Sequence, residues 1–171
     1  QEFQRDLEAL GVLPSSVLCK PTDHIQEMIA FAQRIERNGY AYLLDDGLYL
    51  DTARLREYGR MALLDVEGMR AGARVAVREG KRNPTDFVLW RRSPRDQQRW
   101  MEWSSPWGTG APGWHLECSA MSMKYLGERF DIHTGGIDHR EIHHPNEIAQ
   151  NQAFCHSDAS GANIWMHNNF L

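Results

Sequence analysis

Residues 130–154 read FDIHTGGIDHREIHHPNEIAQNQAF, and this stretch decides the fold class. FDIHTGG predicts a β-strand that runs into a glycine turn, and residues 143–154 follow as a helix. A short helix over residues 117–126 precedes the stretch, and a strand over residues 163–171 follows it. The order helix, strand, helix, strand predicts an α/β fold with a parallel sheet, in which ligands bind at the carboxyl ends of the strands.

The N-terminal part of the chain predicts two helices. Apolar residues at three- to four-residue spacing indicate the first over residues 3–13. The second opens at Pro21 and Thr22, with Thr22 as the expected N-cap and Gly39 as the expected stop. Its apolar face consists of Ile25, Met28, Ile29, Ala32 and Ile35.

The middle of the chain predicts short strands and loops. YAYLLDDGLYLDT indicates two strands joined at Asp46-Gly47, because both turn positions tolerate positive φ. Residues 53–80 have a mixed, polar sequence without a clear pattern. DFVLWRR, residues 86–92, indicates a strand, and the stretch rich in proline, glycine and tryptophan over residues 93–113 indicates a loop.

Composition limits the class of protein. The chain has 171 residues, of which 42% are hydrophobic and 25% charged, as in an ordinary globular domain. The formal net charge of −4 argues against the global basic field of a nonspecific nucleic-acid binder. An apolar run of about 18 residues and a signal-peptide pattern are both missing, so we expect a cytoplasmic protein without a membrane span. The 3 cysteines, an odd number without framework spacing, favour reduced thiols or a metal ligand over a disulfide scaffold.

Three side chains in the last third of the chain could hold one metal ion. His143 and Glu147 are four residues apart on the predicted helix, so they share a face. Cys118 would lie in the first turn of the preceding helix, where the helix dipole favours a thiolate. A thiolate, an imidazole and a carboxylate together favour zinc over magnesium or calcium. Because three ligands do not complete a tetrahedral site, the fourth position is either open to substrate or water or filled from outside the chain.

Each of these features also has a simpler interpretation. An isolated cysteine on an apolar helix can be a small buried hydrophobic residue, and paired histidines can be polar surface groups. A glycine pair before an acid, as in Gly135-Gly136-Ile137-Asp138, is by itself often only a turn. Spacing alone therefore leaves the zinc site and the glycine turn as hypotheses.

The motifs taken together, in their order and separation, resemble the catalytic domain of cysteinyl-tRNA synthetases. The stretches that carry the resemblance are WSSPWGTGAPGWHLECSAM, FDIHTGGIDHREIHHPNEIAQNQA and IWMHNNFL, preceded by PTDHIQEMI, GYAY, GLYLDT, YGRMAL and GKRNPTDFVLWRR. The resemblance covers nearly the whole chain. It implies the second half of a class I synthetase Rossmann-like (HUP-type) nucleotide-binding domain with an inserted connective segment. Residues 1–40 would be a helical segment, residues 41–112 the connective-type insertion with short strands, and residues 113–171 the second half of the catalytic domain.

The resemblance implies roles for the residues around the predicted metal site. In this family zinc is held by the cysteine of GWHxEC, here Cys118, and by the first histidine and final acid of HHxNE, here His143 and Glu147. The zinc binds the thiol of the substrate cysteine directly, so serine is rejected through loss of a metal bond. The same motif implies that Trp114 lines the amino-acid pocket and that His115 lies by the reaction centre as a catalytic residue. Core packing is the alternative for Trp114.

A second group of residues is implied to bind ATP. Gly135, Gly136 and Asp138 form the GGxD turn, in which glycines allow close backbone approach and the acid can accept hydrogen bonds from ribose hydroxyls. His167 in WMHN would lie near the adenine, although a strand-end histidine without a ligand is the alternative. Three neighbouring residues would support His143 or lie on the surface, namely His139, Glu141 and His144.

The sequence departs from the commonest pattern of the family in three places. Pro145 replaces an acid, but it falls at the start of the helix, where a missing N–H costs little. Ala111 replaces an arginine, which puts in doubt any contact made by that side chain. Residues 137–139, Ile-Asp-His, replace a segment of the Ser-Asp-Leu type.

The reaction implied by the resemblance has two steps. The cysteine carboxylate attacks the α-phosphate of Mg-ATP to give cysteinyl-adenylate and pyrophosphate, and the acyl group then passes to the terminal ribose of tRNA(Cys). The HIGH and KMSKS motifs that position the phosphates, and a further zinc cysteine, do not occur in these residues, so we expect the chain alone to be inactive, and we expect a monomer. The basic stretch at residues 72–84 could contact the acceptor stem or simply be solvated.

Two other functions are compatible with the same residues. A cysteine ligase of the same superfamily could use the zinc pocket with a small amine acceptor in place of tRNA. A noncatalytic zinc-binding or tRNA-associated module would keep the metal ligands without the activity. Flanking HIGH and KMSKS motifs would favour the tRNA ligase, and a genuine reading frame of this length would favour the noncatalytic module.

Overall fold

The computed structural model describes residues 2–62, 80–94, 96 and 99–170. Residues 63–79, which contain most of the basic stretch, lie outside the described part. The helices and strands, in chain order, are α1 Glu2–Ala9, α2 Ile25–Arg37, β1 Ala41–Leu44, β2 Gly47–Leu50, β3 Phe87–Arg92, β4 Gly110–Pro112, α3 Trp114–Leu126, β5 Phe130–Gly136, α4 His143–Cys155 and β6 Ala162–Asn168. Short 3-10 helices occur at Pro21–Asp23, Thr52–Arg54, Arg60–Ala62 and Ile137–His139. Within the described residues, every helix is too short or too polar to span a bilayer.

Strands β1 to β4 form an antiparallel sheet in which each strand pairs with the next along the chain. The predicted hairpin is confirmed, but its turn is Asp45-Asp46, because Leu44 pairs with Gly47. A Cβ at Gly47 would lie 2.0 Å from the carbonyl oxygen of Trp90, so close approach of β3 explains this glycine better than the turn does. The predicted loop over residues 93–113 is wrong at its end, where β4 pairs with β3.

The apolar core lies between α2, the sheet, α3 and α4. All five residues of the predicted α2 face are buried, and they pack with Leu48, Leu50, Leu89, Trp90, Leu116, Ala120, Ala149 and Ala153. Gly39 ends α2 as predicted, with a φ of 83°, and the N–H groups of Gly39 and Tyr40 donate to the carbonyls of Glu36 and Ile35. Thr22 is not the N-cap, because it lies in a 3-10 turn and α2 begins at Ile25.

Strands β5 and β6 pair in parallel and are joined by α4, which confirms the predicted α/β class. Gly135 pairs with His167 near the carboxyl ends of both strands. Helix α3 begins at Trp114, three residues before the predicted start, so Cys118 lies in its second turn. The division of the chain at residues 40 and 112 stays a prediction.

Candidate functional site

Cys118, His143 and Glu147 meet where α3 packs against α4. Each offers one ligand atom, a thiol sulfur, a ring nitrogen or a carboxylate oxygen, and these atoms lie within 4.8 Å of one another. His143 and Glu147 are buried on one face of α4, with 3.0 Å between Nε2 and Oε1. This donor set fits zinc, because thiolate, imidazole and carboxylate are its usual ligands in proteins and the three atoms are close enough together to share one ion.

The predicted reason for a Cys118 thiolate is wrong. Since α3 begins at Trp114, the unpaired N–H groups of its first turn do not lie at Cys118. Burial, followed by the negative charges of Glu147 and Glu117, raises the pKa of the Cys118 thiol to about 12. A thiolate at this position therefore depends on a bound cation to supply the positive charge.

A chain of hydrogen bonds leads away from the three metal-ligand candidates. His143 Nδ1 lies 2.9 Å from His115 Nδ1, and the Asn146 amide nitrogen donates to His115 Nε2 at 3.0 Å. The Tyr58 hydroxyl in turn donates to Asn146 Oδ1 at 2.7 Å. Burial, with a smaller contribution from His143, lowers the pKa of His115 to about 3, so this ring is neutral at physiological pH. His115 is therefore held from both of its nitrogen atoms.

Glu147 joins two histidines that come from different elements. Its Oε1 accepts from His143 Nε2 on α4 and, at 3.1 Å, from His133 Nε2 on β5. Burial acts to raise the pKa of Glu147, but the hydrogen bonds from His133 and His143 outweigh it, so the pKa is lowered and the carboxylate is charged. The motifs gave no role to His133. One sequence signal was available. His133 is two residues from Gly135 on the same predicted strand, and residues i and i+2 of a strand share a face, so His133 could have been expected on the same side as the site.

His144 is buried and does not lie on the surface, contrary to one of the two expectations for it. It is 1% exposed, and its Nδ1 lies 2.7 Å from His167 Nε2. A Cβ at Gly135 would lie 2.7 Å from Cε1 of this ring, so Gly135 provides clearance for His144. Gly135 and Gly136 are the last residues of β5 and not a turn, which corrects the prediction. His133, His144 and Glu147 form a second group of ligand atoms within 4.8 Å of one another.

Trp114 and Asp138 lie at the exposed rim of the site. Trp114 is 56% exposed, which excludes the core-packing alternative, and its ring centroid lies 4.4 Å from that of His143. Asp138 lies in the 3-10 helix after β5 with its carboxylate 3.2 Å from His139 Nδ1. Glu141 is a surface residue paired with Arg140. The structure thus brings Gly135, Gly136, Asp138 and His167 together at the carboxyl ends of β5 and β6.

The parallel βαβ unit of β5, α4 and β6 agrees with the catalytic domain of class I tRNA synthetases. The sequence profile described as "tRNA synthetases class I (C) catalytic domain" matches residues 1–171. The chain belongs to this family of catalytic domains, as its motifs predicted.

Curated relatives share this assignment. The chain is 60% identical over 173 residues to a cysteine–tRNA ligase of Zymomonas mobilis, with 100% of the chain and 33% of the relative covered. It is 57% identical over 171 residues to cysteine–tRNA ligase 1 of Burkholderia lata, with 100% and 36% covered. It is 45% identical over 170 residues to a cysteine–tRNA ligase of Thermococcus gammatolerans, with 99% and 34% covered. The chain thus spans about a third of the length of the curated relatives it matches.

Proposed function

We propose that the chain forms part of the cysteine-activating site of a cysteine–tRNA ligase, with zinc held by Cys118, His143 and Glu147. The observation that carries the proposal is the approach of their three ligand atoms to within 4.8 Å, with His143 and Glu147 buried and Cys118 half-buried. The names of the relatives favour tRNA over a small amine as the acceptor. Cysteine, Mg-ATP and tRNA(Cys) are therefore the proposed substrates.

Different side chains have different proposed roles at the end of the site that would bind the amino acid. A bound zinc ion would supply a Lewis-acid partner for the substrate sulfur, and a serine hydroxyl would be a much poorer partner. The exposed ring of Trp114 lies against His143 and is proposed to line the amino-acid pocket. His115 is neutral and holds the His143 ring from behind, so its proposed contribution at the reaction centre does not require a charge.

Gly135, Gly136, Asp138 and His167 are proposed to bind the adenosine of Mg-ATP. Parallel sheets bind ligands at the carboxyl ends of their strands, where these four residues lie. Two successive glycines let a nucleotide approach the main chain of β5 closely. The Asp138 carboxylate is half-exposed and free to accept from a ribose hydroxyl in place of its contact with His139.

Zinc analysis of the intact protein tests the ligand assignment. Cys118→Ser and His143→Ala each remove one donor, and we expect bound zinc to fall from about one equivalent to a small fraction of it. Cys155→Ser is the matched control, because Cys155 lies at the far end of α4 from His143 and should be dispensable for zinc. Full zinc in both ligand variants would overturn the assignment.

Exchange of labelled pyrophosphate into ATP tests the activity of the full-length protein of which this chain is proposed to form a part. We expect exchange that depends on cysteine, is not supported by serine, and is lost in Cys118→Ser. Asp138→Ala should mainly raise the KM for ATP, because its proposed contact is with the ribose. Equal exchange with serine and cysteine would contradict recognition of the substrate thiol by zinc.

A further inference from the structure

We propose that the loop of residues 93–109, between β3 and β4, binds the unpaired 3′ end of tRNA(Cys), with Trp100 stacking on a base and Arg99 contacting a phosphate. The inference rests on the proposed function, because it takes tRNA(Cys) as a substrate. It adds a binding surface that is separate from the proposed cysteine and ATP sites. Its basis is an exposed indole beside excess positive charge, on a loop whose base is fixed.

Trp100 is the most exposed large apolar side chain of the described residues. Its relative exposure is 104%, and Met101 beside it is 62% exposed. Three other tryptophans of this region pack inward, namely Trp90, Trp103 and Trp107. The Trp100 ring therefore contributes little to the core and is available to a partner. Exposure alone does not identify that partner, whereas the surroundings of the ring do.

The base of the loop is held by main-chain hydrogen bonds. Trp103 and Gly110 form an antiparallel bridge, in which Trp103 N donates to Gly110 O at 2.7 Å and Gly110 N donates to Trp103 O at 2.9 Å. Ser93 N donates to Thr109 O at 2.9 Å. Because Trp100 is only three residues from this bridge, its position is restricted before a partner binds, which lowers the entropic cost of binding.

The loop is positively charged although the chain as a whole is negative. Residues 91–102 contain four arginines and two acids, a net charge of +2, whereas the whole chain has a net charge of −4. One of the two acids, Glu102, has a buried carboxylate oxygen, so its charge is directed inward. Charge complementarity therefore favours an anionic partner at this loop.

The arginines beside Trp100 are not neutralised in the described part of the chain. Burial, followed by the positive charge of Arg99, lowers the pKa of Arg91, so these two guanidinium groups are close enough to oppose each other. Arg91 is paired with Asp46. Arg92 donates to two main-chain carbonyls, and within the described residues neither Arg92 nor Arg99 forms an ion pair with a carboxylate. A phosphate at Arg99 would relieve the repulsion.

An exposed indole beside arginines favours a single-stranded nucleic acid over other anions. Aromatic rings stack on unpaired bases while arginines contact the phosphates. An acidic peptide offers the negative charge but no flat base, and a double helix keeps its bases stacked on one another. The unpaired nucleotides at the 3′ end of tRNA lead to the ribose that would accept the cysteinyl group.

The loop lies one short strand away from the proposed amino-acid pocket. Strand β4 begins at Gly110, in the bridge at the base of the loop, and Trp114 begins α3 after the end of this strand. At about 3.4 Å per residue, the chain from Gly110 to Trp114 spans at most about 14 Å. A few nucleotides are therefore enough to connect a base on the loop with the pocket.

Two activities of the full-length protein separate this surface from the activation site. We expect Trp100→Ala to raise the KM for tRNA(Cys) in aminoacylation by about 5-fold or more, because a stacked base is lost. Cysteine-dependent pyrophosphate exchange should not change. Trp100→Phe keeps an aromatic face and should lose less, and Leu13→Ala, at a position that is 88% exposed, is the control that should change neither activity. Equal losses in Trp100→Ala and Trp100→Phe, or no loss in Trp100→Ala, would overturn the stacking role.

The salt dependence of tRNA(Cys) binding tests the phosphate contact. Arg99→Gln removes one positive charge, so we expect the slope of log Kd against log salt concentration to decrease by about 0.7. Trp100→Ala should weaken binding at every salt concentration without a change in slope. Arg5→Gln on the exposed side of α1 is the matched control and should keep the parent slope. A parent slope in Arg99→Gln would contradict the phosphate contact.

Removal of the unpaired 3′ nucleotides from tRNA(Cys) tests where the indole binds. We expect the shortened tRNA to bind the parent protein and Trp100→Ala with equal affinity, because the stacked base is gone from both complexes. If Trp100→Ala weakened binding of the shortened and complete tRNA by the same factor, the assignment to the 3′ end would be wrong.

Failure of this proposal differs from failure of the proposed function. Lack of cysteine-dependent exchange in the full-length parent protein would remove the ligase function itself. Normal exchange in the parent, together with parent KM and affinity for tRNA(Cys) in Trp100→Ala and Arg99→Gln, would remove only the role of the loop.

Discussion

Two buried regions of this protein are opposite in chemistry. The apolar region combines α2, β2 and β3, and seven of its residues are 0% exposed, namely Met28, Ala32, Ile35, Leu48, Leu50, Leu89 and Trp90. The polar region lies along α4, where six residues are at most 4% exposed, namely His143, His144, Asn146, Glu147, Gln150 and Asn151. The two regions are therefore buried to a similar extent, although one consists of apolar side chains and the other of side chains that require hydrogen-bond partners.

The difference shows what burial does in each region. Apolar side chains gain about 25 cal/mol for each Å² removed from water, whatever their orientation. Buried polar groups cost free energy unless each one finds a partner, so their value lies in fixed geometry. His143 and Glu147 satisfy each other and also bond His115 and His133. We infer that the apolar region supplies stability and the polar region holds ligand atoms in position.

Truncation of Trp90, the largest fully buried side chain of the described residues, should have the largest effect on stability. Trp90→Ala leaves a cavity in a fully buried position, so we expect the free energy of unfolding to fall by about 3–5 kcal/mol. Zinc bound per folded molecule should not change. Urea unfolding measures the loss, with the exposed Leu13→Ala as the control that should stay within about 0.5 kcal/mol of the parent. A small loss for Trp90→Ala would break the assignment of stability to this region.

Zinc should stabilise the protein only through the polar region. At free zinc 100 times the dissociation constant, we expect the free energy of unfolding to rise by about 2.7 kcal/mol, because the ion binds the folded state. Cys118→Ser should remove this increase, whereas Cys155→Ser should keep it. Thermal or urea unfolding with and without zinc measures the effect. An equal increase in both variants would indicate that zinc acts somewhere else.

A smaller buried polar cluster beside the antiparallel sheet extends the comparison between the apolar and polar regions. Asp86 is 1% exposed and accepts hydrogen bonds from the Tyr42 hydroxyl at 2.7 Å, from Thr52 N at 2.9 Å and from Asn83 N at 2.9 Å. These bonds tie β1 and β3 to the loops beside them. The cluster is polar, but its expected contribution is stability, because within the described part of the chain the hydrogen bonds of Asp86 do not reach Cys118, His143 or Glu147.

Removal of the Tyr42 hydroxyl should have the smallest of the three effects and should depend on pH. Tyr42→Phe removes a hydrogen bond to a charged group, so we expect a loss of about 2 kcal/mol at neutral pH. Burial, followed by the hydrogen bond to Asp86, raises the pKa of Tyr42 from 10 to about 12. A raised pKa means that the stabilisation is fully present below pH 10 and is lost as the pH rises through about 12.

The difference between the parent and Tyr42→Phe should therefore shrink over that alkaline interval. Urea unfolding of both proteins at a series of pH values measures it. If the difference in unfolding free energy between the two proteins stayed constant from pH 10 to about 12, the raised pKa of Tyr42 would be contradicted. The loss measured at neutral pH would still test the hydrogen bond from Tyr42 to Asp86.

Local sequence patterns predicted most of the helices and strands. The errors lie at the start of one helix and at one strand whose pairing depends on a contact between distant residues. The apolar face of α2, the hairpin, β3 and the parallel βαβ unit were predicted because periodicity and turn residues report local preference. The start of α3 was placed three residues late, so the dipole explanation for Cys118 was wrong. Strand β4 was predicted as loop, because its pairing with β3 is a tertiary contact and its sequence is rich in glycine and proline.

The sequence by itself determined the family, the apolar faces and the spacing that puts His143 and Glu147 on one side of α4. Only the tertiary structure decided which polar groups are buried and which way their hydrogen bonds run. Tyr58 and Asn146 are 88 positions apart in the chain, and His133 reaches Glu147 from a different element. No local pattern reports such contacts, because a hydrogen bond depends on where two atoms lie in space and not on how far apart they are along the chain.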